Sequence, residues 1–267
     1  MKVLTTMTKN LNITPEISEL CGIISGDGHL SRYVSSKRSS YKIEIAGDKT
    51  EEIDYFKHIS LLFYSSFKVE TKFKIKKNYA NLYIHSKKLL EFFENIGIIV
   101  GKKSGRVRIP QKIINNNELS LHFLRGLADT DFSICFKKGN RKSNSYPRII
   151  AEFCSEEIIK DIQTVLDRLK ISYCNLQGIK TNSFGTFNFF RLEINGINNL
   201  NKWLRHIGFS NPKHSSKIKV WNKLGYCPPK TTYSERMKII KEEGVNRPAS
   251  KNSSLLTSEA KKNSPFG

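Results

Sequence analysis

"LHFLRGLADTDFSI" (residues 121–134) is an apolar helix with small residues that runs into two aspartates, Asp129 and Asp131. Carboxylates are rarely buried without a partner or a metal, and a helix C-terminus repels negative charge. Something must therefore offset these acids. A second stretch has the same form: "SELCGIISGDGHL" (18–30). Laid on one another, Leu20 matches Leu124, Gly22 matches Gly126, Ile23 matches Leu127 and Asp27 matches Asp131. Asp131 stands 104 positions after Asp27, too far for a short solenoid period and suited to a duplicated subdomain.

The segments after the two helices repeat as well. A strand-like stretch, a turn-rich segment and a strand come next: "YKIEIAG" (41–47) in one half, "YPRIIAEFC" (146–154) in the other. Residues 48–63 and 155–169 then read as amphipathic helices, each opening on a capping residue and early acids: Asp48 or Thr50 with Glu51 and Glu52, and Ser155 with Glu156 and Glu157. Hairpins are expected over 67–86 and 171–196, and each half closes on a helix ending "ENIGI" (94–98) or "RHIGF" (205–209). The expected fold is α+β: two pseudo-symmetric αββαββα repeats, over residues 1–99 and 118–226, joined by a polar linker at 100–117. Residues 227–267 are expected to hold one more helix, over 232–243, and a disordered basic tail.

Lys and Arg number 45 against 24 Asp and Glu, a formal net charge of +21, which points to a polyanionic partner and first to nucleic acid. A basic ribosomal or structural protein would fit the charge but leaves the repeated acid-ended helices unexplained. The five cysteines show no paired spacing for zinc and read as reduced residues of an intracellular protein. No apolar run is long enough for a membrane span, and no signal peptide is visible. The expected location is a prokaryotic cytoplasm or an organelle.

Gly22 and Gly26 are four apart and share a helix face, which lets a second helix approach to backbone contact. Gly126 matches the first of them, and Thr130 takes the place of Gly26. Two helices crossing there bring Asp27 and Asp131 together, and such a pair cannot stay charged without a cation. A hard cation with oxygen ligands, Mg²⁺, is the simplest. Asp129 reads as a cap or an ion-pair partner, with a ligand role the lesser alternative.

At these residues the chain resembles a known family. "LCGIISGDG" (20–28) and "LRGLADTDF" (124–132) resemble the two signature motifs of the LAGLIDADG homing endonucleases, in the single-chain, two-motif form, over about residues 15–225. The last motif position departs from the pattern, with Phe132 where Gly is usual, and the sixth is Ser25 in one copy and Asp129 in the other. A glycine is dispensable at Phe132 if φ stays negative. The resemblance implies a saddle of two antiparallel sheets around a central two-helix interface, lying in the DNA major groove. It implies that Asp27 and Asp131 are the catalytic, metal-holding acids, with the backbone carbonyls of Gly26 and Thr130 completing the metal shell. Lys103 and Lys213, in matching places, are the candidates for positioning the attacking water, with Lys102 and His214 as neighbours able to share that role. No Gln stands at the ends of the second strands, where Ala46-Gly47 and Cys154-Ser155 occur.

A sheet that reads a groove needs polar residues at alternate positions. "KFKIKK" puts Lys72, Lys74 and Lys76 on one face, and "YKIEI" puts Lys42 with Glu44. Arg32, Lys37 and Arg38 lie in or near the first hairpin. The second half offers Lys137, Lys138, Arg141, Lys142, Arg148, Gln177, Lys180, Asn182, Asn188 and Arg191. The expected function is a Mg²⁺-dependent, site-specific double-strand DNA endonuclease, intron-encoded and monomeric, with a long asymmetric target. The alternative is an intron RNA maturase or a non-cleaving DNA-binding protein of the same fold. An intein-embedded form is not expected, because the chain begins with Met and lacks a terminal His-Asn pair.

Overall fold

The computed structural model describes residues 12–36, 38–139, 142–183 and 185–242, without the side chain of Asn182. Lys37, Arg141 and the tail beyond 242 lie outside the described residues. The first repeat runs α1 (Pro15–Ser25), β1 (Gly28–Val34), β2 (Ser39–Gly47), α2 (Ile53–Phe67), β3 (Lys72–Ile75), β4 (Ala80–His85) and α3 (Lys87–Ile96). A short helix α4 (Gln111–Ile114) precedes the second repeat: α5 (Asn117–Asp131), β5 (Phe132–Lys137), β6 (Tyr146–Phe153), α6 (Glu156–Arg168), β7 (Cys174–Asn182), β8 (Gly185–Asn195) and α7 (Ile197–His206). Two further helices come after it, α8 (Pro212–Leu224) and α9 (Tyr233–Lys241).

The two sheets are antiparallel and share one topology, β1-β2-β4-β3 and β5-β6-β8-β7. This is the expected duplicated α+β fold. Strand alternation gives each sheet one face on the core and one away from it. Leu30, Ile43, Ile45, Leu82 and Ile84 bury in the first repeat, and Phe132, Ile134, Ile149, Leu192 and Ile194 in the second.

The helices α1 and α5 cross at the centre. Thr14 caps α1 by accepting from the Ile17 amide, and Asn116 caps α5 by accepting from Leu119. A Cβ on Gly22 would overlap the Phe123 carbonyl and stand 2.8 Å from the Leu127 nitrogen. A Cβ on Gly126 would overlap the Glu19 carbonyl and stand 3.0 Å from the Ile23 nitrogen. Phe123 and Leu127 occupy the places in α5 that Glu19 and Ile23 occupy in α1, so the crossing is two-fold in its contacts.

Three stretches differ from the expectation. Residues 100–117 are packed: Val107, Ile109, Ile113 and Ile114 are buried, Ser155 donates to the Val107 carbonyl (2.7 Å), and Asp161 accepts from the Ile109 amide (2.7 Å). Residues 212–224, where no helix was expected, form one with Pro212 in its first turn and Asn211 as N-cap. Helix α2 begins at Ile53, after a turn in which Asp48 accepts from the Thr50 and Glu51 amides and Glu52 accepts from the Asp48 amide. The expected C-terminal helix is present as α9, opened by a Thr232–Glu235 capping box. Among the described residues no helix is long and apolar enough to cross a membrane.

Candidate active site

Both signature helices deliver their acids to one place. Gly26 ends α1 and Asp27 comes directly after it, while Asp131 is the last residue of α5. Asp131 Oδ2 lies 3.1 Å from where a Cβ on Gly26 would stand. The chain leaves α5 through Phe132 at φ −91°, ψ 160°, ordinary extended backbone, so the absence of glycine there costs nothing. Phe132 is buried against Trp203 and Phe153.

Each acid keeps a solvent-facing side, yet protein fills most of its surroundings. That desolvation, with the charges of Asp131 and Glu52, pushes Asp27 up to about 7. Desolvation also pushes Asp131 up to about 6, against the pull of Lys103. These acids repel one another and need cationic company. Lys103 supplies part of it: its ammonium donates to the carbonyls of Ser25 (2.9 Å), Gly28 (2.7 Å), Ile24 (3.1 Å) and Gly26 at the frayed end of α1. Lys213 comes from the first turn of α8, lowers the pKa of Asp27 by its charge, and lies 3.5 Å from Glu52. The charge of Lys103 therefore acts on both acids and that of Lys213 on Asp27.

Two of the neighbours considered with them are placed differently. His214 is buried, packs at a tilt against Phe209, lies 3.3 Å from the Asp129 carbonyl, and is kept neutral by burial, which lowers it to about 3. Lys102 is exposed. Asp129 is wholly buried and accepts from the amides of Ser210 (3.1 Å) and Asn211 (3.0 Å), which makes it a cap on the approach to α8. The Thr130 hydroxyl turns its proton back onto its own helix, donating to Leu127 (2.9 Å) and Gly126 (3.2 Å).

The donor set is all oxygen: two carboxylates and the main chain beside them. Among the described residues no group of three or more His, Cys, Asp or Glu could hold a metal by itself. A hard divalent cation that completes its shell with phosphate oxygens and water fits such a set; a soft metal does not. One acid escaped the sequence reading. Glu52, buried before α2, lines the same small cavity as Asp27, Thr130 and Tyr55. Its local signal was that of an early helix acid.

The sheet faces turned away from the helices carry charge. In the first repeat the cross-strand register aligns Lys42 and Glu44 with Tyr83, Asn81, Lys72 and Lys74. Lys42 pairs with Glu44 at 2.7 Å, Lys76 donates to Tyr79 at 2.8 Å, and Arg38 is exposed in the β1–β2 turn. In the second repeat Arg148, Glu193, Arg191, Glu152 and Lys180 form one ladder, with Arg191 donating twice to Glu152 (2.6 and 2.8 Å) and Arg148 3.1 Å from Glu193. Lys137 shares this face, and Lys138 and Lys142 are exposed at its edge. Three expected groove residues lie on the other side. Arg32 has the parity of Leu30 and pairs with Glu94 of α3. Gln177 pairs with Phe190 and lines a groove with Glu156 and Lys160 of α6. Asn188 pairs with Ile179, also on the helix side. Each is an odd number of residues from a groove-facing neighbour, and period-two alternation turns it away.

No protein-family model matches the chain. It is 27% identical over 203 residues to the replication factor C small subunit of Methanocaldococcus jannaschii, and 29% identical over 217 residues to the glutamine–fructose-6-phosphate aminotransferase (isomerizing) of the same organism. These matches take in 76% and 79% of this chain but only 10% and 18% of the two proteins. Among solved structures, I-DmoI in complex with DNA and Mn is similar at a TM-score of 0.50 and 20% identity, over 74% of this chain and 98% of that one. Mesophilic variants of the homing endonuclease I-DmoI give 0.51 at 19% identity, over 73% and 95%. The K262A mutant of I-SmaMI gives 0.53 at 13% identity, over 79% and 90%. At these identities the likeness is one of fold.

Proposed function

We propose that the chain is a site-specific endonuclease that cuts both strands of duplex DNA with a divalent cation. One observation carries this reading: Asp27 and Asp131 meet at the ends of a glycine-packed helix crossing, flanked by Lys103 and Lys213. The likeness of fold to I-DmoI, solved with its target DNA and with Mn or Mg, supports it. Asp27 and Asp131, with the carbonyls of Gly26 and Thr130, would hold the cation, and Mg²⁺ suits them. When bound, the cation supplies Lewis acidity to the scissile phosphate and its attacking water. Lys103 and Lys213 orient that water and offset phosphate charge. Hydrolysis adds the water oxygen to phosphorus and breaks the bond to the 3′ oxygen, leaving a 3′ hydroxyl and a 5′ phosphate.

Lys42, Glu44, Lys72, Lys74, Lys76, Arg148, Lys180 and Arg191 are the groove-facing set. The two repeats differ in almost every one of these residues, so a single chain reads a long, asymmetric site. Two relatives that carry a similar stretch inside larger proteins of unrelated names support a mobile element. An intron is one setting for it, and in-frame insertion in a host protein is another.

The test is cleavage of DNA carrying the uninterrupted insertion site of this gene, with Mg²⁺ or with EDTA, by the wild type, Asp27→Asn and Asp131→Asn. The expected result is metal-dependent double-strand cutting that is lost in each variant while binding persists. Tight binding with no cutting by the wild type overturns the reading in favour of a maturase or a non-cleaving binder, and intron RNA is then the ligand to try.

A further inference from the structure

Glu52 is a buried carboxylate in a place where capping alone does not call for charge. It is 4% exposed, at the N-cap position of α2. The matching N-cap of the second repeat is Ser155, whose neutral hydroxyl holds the segment trailing the first repeat through the Val107 carbonyl. Glu52 holds the segment trailing the second repeat, and does so with a charge. Its Oε1 accepts from Asn211 Nδ2 at 2.8 Å and lies 3.5 Å from Lys213 Nζ, while its Oε2 accepts from the Asp48 amide at 2.7 Å. Asn211 is wholly buried. Its Oδ1 accepts from the Lys213 amide (2.9 Å), and its Nδ2 also donates to the Asp129 carbonyl (2.9 Å). The backbone and the tip of Lys213 are thus both fixed from one carboxylate, and that carboxylate lines the same cavity as Asp27.

Lys103 is held by other means. Its ammonium rests on the carbonyls at the end of α1, and among the described residues no acid lies at hydrogen-bond distance from it. The two matched lysines therefore depend on different groups, and only one depends on Glu52.

We propose that Glu52 is a positioning residue for one of the two strand cuts: it holds the Lys213 ammonium beside Asp27 and serves the phosphate attacked there. The inference deepens the endonuclease reading and rests on it. A buried ion held by a partner in hydrogen-bond distance is a costly arrangement, and it persists where geometry matters more than stability.

The experiment is single-turnover cleavage by the full chain of the same duplex, labelled separately on each strand, in Mg²⁺. Glu52→Gln, Lys213→Met, their double variant and Lys103→Met are compared with wild type, with DNA affinity and Tm measured alongside. The expected result is that Glu52→Gln slows one strand at least ten-fold and accumulates nicked DNA with unchanged affinity. Lys213→Met slows the same strand further but measurably, the double variant is no slower than Lys213→Met, and Lys103→Met spares that strand and slows the other. Equal slowing of both strands by Glu52→Gln, opposite strands for the Glu52 and Lys213 variants, or multiplying effects in the double variant would overturn it. If Glu52→Gln does not fold, Lys213→Met decides alone: equal loss on both strands refutes the proposal. A wild type that binds but never cuts removes the parent reading, an outcome no pattern among the variants can mimic.

Discussion

Gly22 and Gly126 face one another's helices across the α1–α5 crossing, each with its Cα against the backbone of the other helix. That approach is what sets Asp27 beside Asp131. An alanine at either position would put a methyl group into a main-chain carbonyl that no rotamer change can move. Gly22→Ala and Gly126→Ala are expected to cost about 3 kcal/mol or more in urea unfolding, the top of the usual range for overpacking a core or beyond it, and to reduce cutting beyond the loss of folded protein. A cost near zero would mean that the helices separate freely.

Stability without metal is expected to fall as pH rises. Burial raises Asp27 and Asp129 to about 7 and Asp131 to about 6. Between the ordinary carboxylate range and these values the folded chain keeps protons that the unfolded chain has released, so folding is favoured at the acid end and loses ground up to about pH 7. His214, lowered to about 3 by burial, works the other way up to its unfolded value of 6.5, and the three raised aspartates outweigh that one group. Glu19, lowered to about 2 by His122, His58 and Arg125 against its burial, acts in the opposite sense, but below about pH 4.5. Excess Mg²⁺ should remove the part of the fall due to Asp27 and Asp131 and leave that of Asp129. Urea titrations from pH 5 to 8, with Mg²⁺ and with EDTA, check this; a metal-free stability that rises over that window would refute it.

The exposed lysines of β3 are expected to act as phosphate contacts. Among the described residues no acid pairs with Lys72 or Lys74. Replacing either by Ala should weaken binding to matched and unmatched DNA alike and lower the slope of log affinity against log salt by about 1. Arg191→Ala should instead relax sequence preference at one or two positions, because Glu152 fixes the guanidinium direction. Binding isotherms on a randomised site at several salt concentrations separate the two behaviours.

Arg236 is 1% exposed and ties α9 across to the first repeat. It donates to Ser216 (2.8 Å), Glu51 (2.5 Å) and the Thr231 carbonyl. Glu51→Ala would leave that guanidinium without its counter-ion, and a loss of about 3–5 kcal/mol is expected in chemical unfolding. A loss below about 1 kcal/mol would show that water replaces Glu51 there.

Residues that signal through their near neighbours were legible in the chain itself. Asp27 and Asp131 recur in matched frames, the α-β-β-α-β-β-α order comes from periodicity and capping residues, and Gly22 with Gly126 announces a close crossing, because each signal lies within a few turns of backbone. The side of the sheet taken by Arg32, Gln177 and Asn188 was also encoded, in their parity against Leu30, Lys180 and Arg191. Tertiary structure alone decided the rest. Asp129 became a cap because the 210–211 loop folds back onto it, and Asn211 turned Pro212–Leu224 into a helix pointing Lys213 at Asp27. Glu52 joined the site through a contact with Asn211 that spans 159 residues. Local spacing carries no trace of such a meeting, which exists only once two repeats have packed around one glycine crossing.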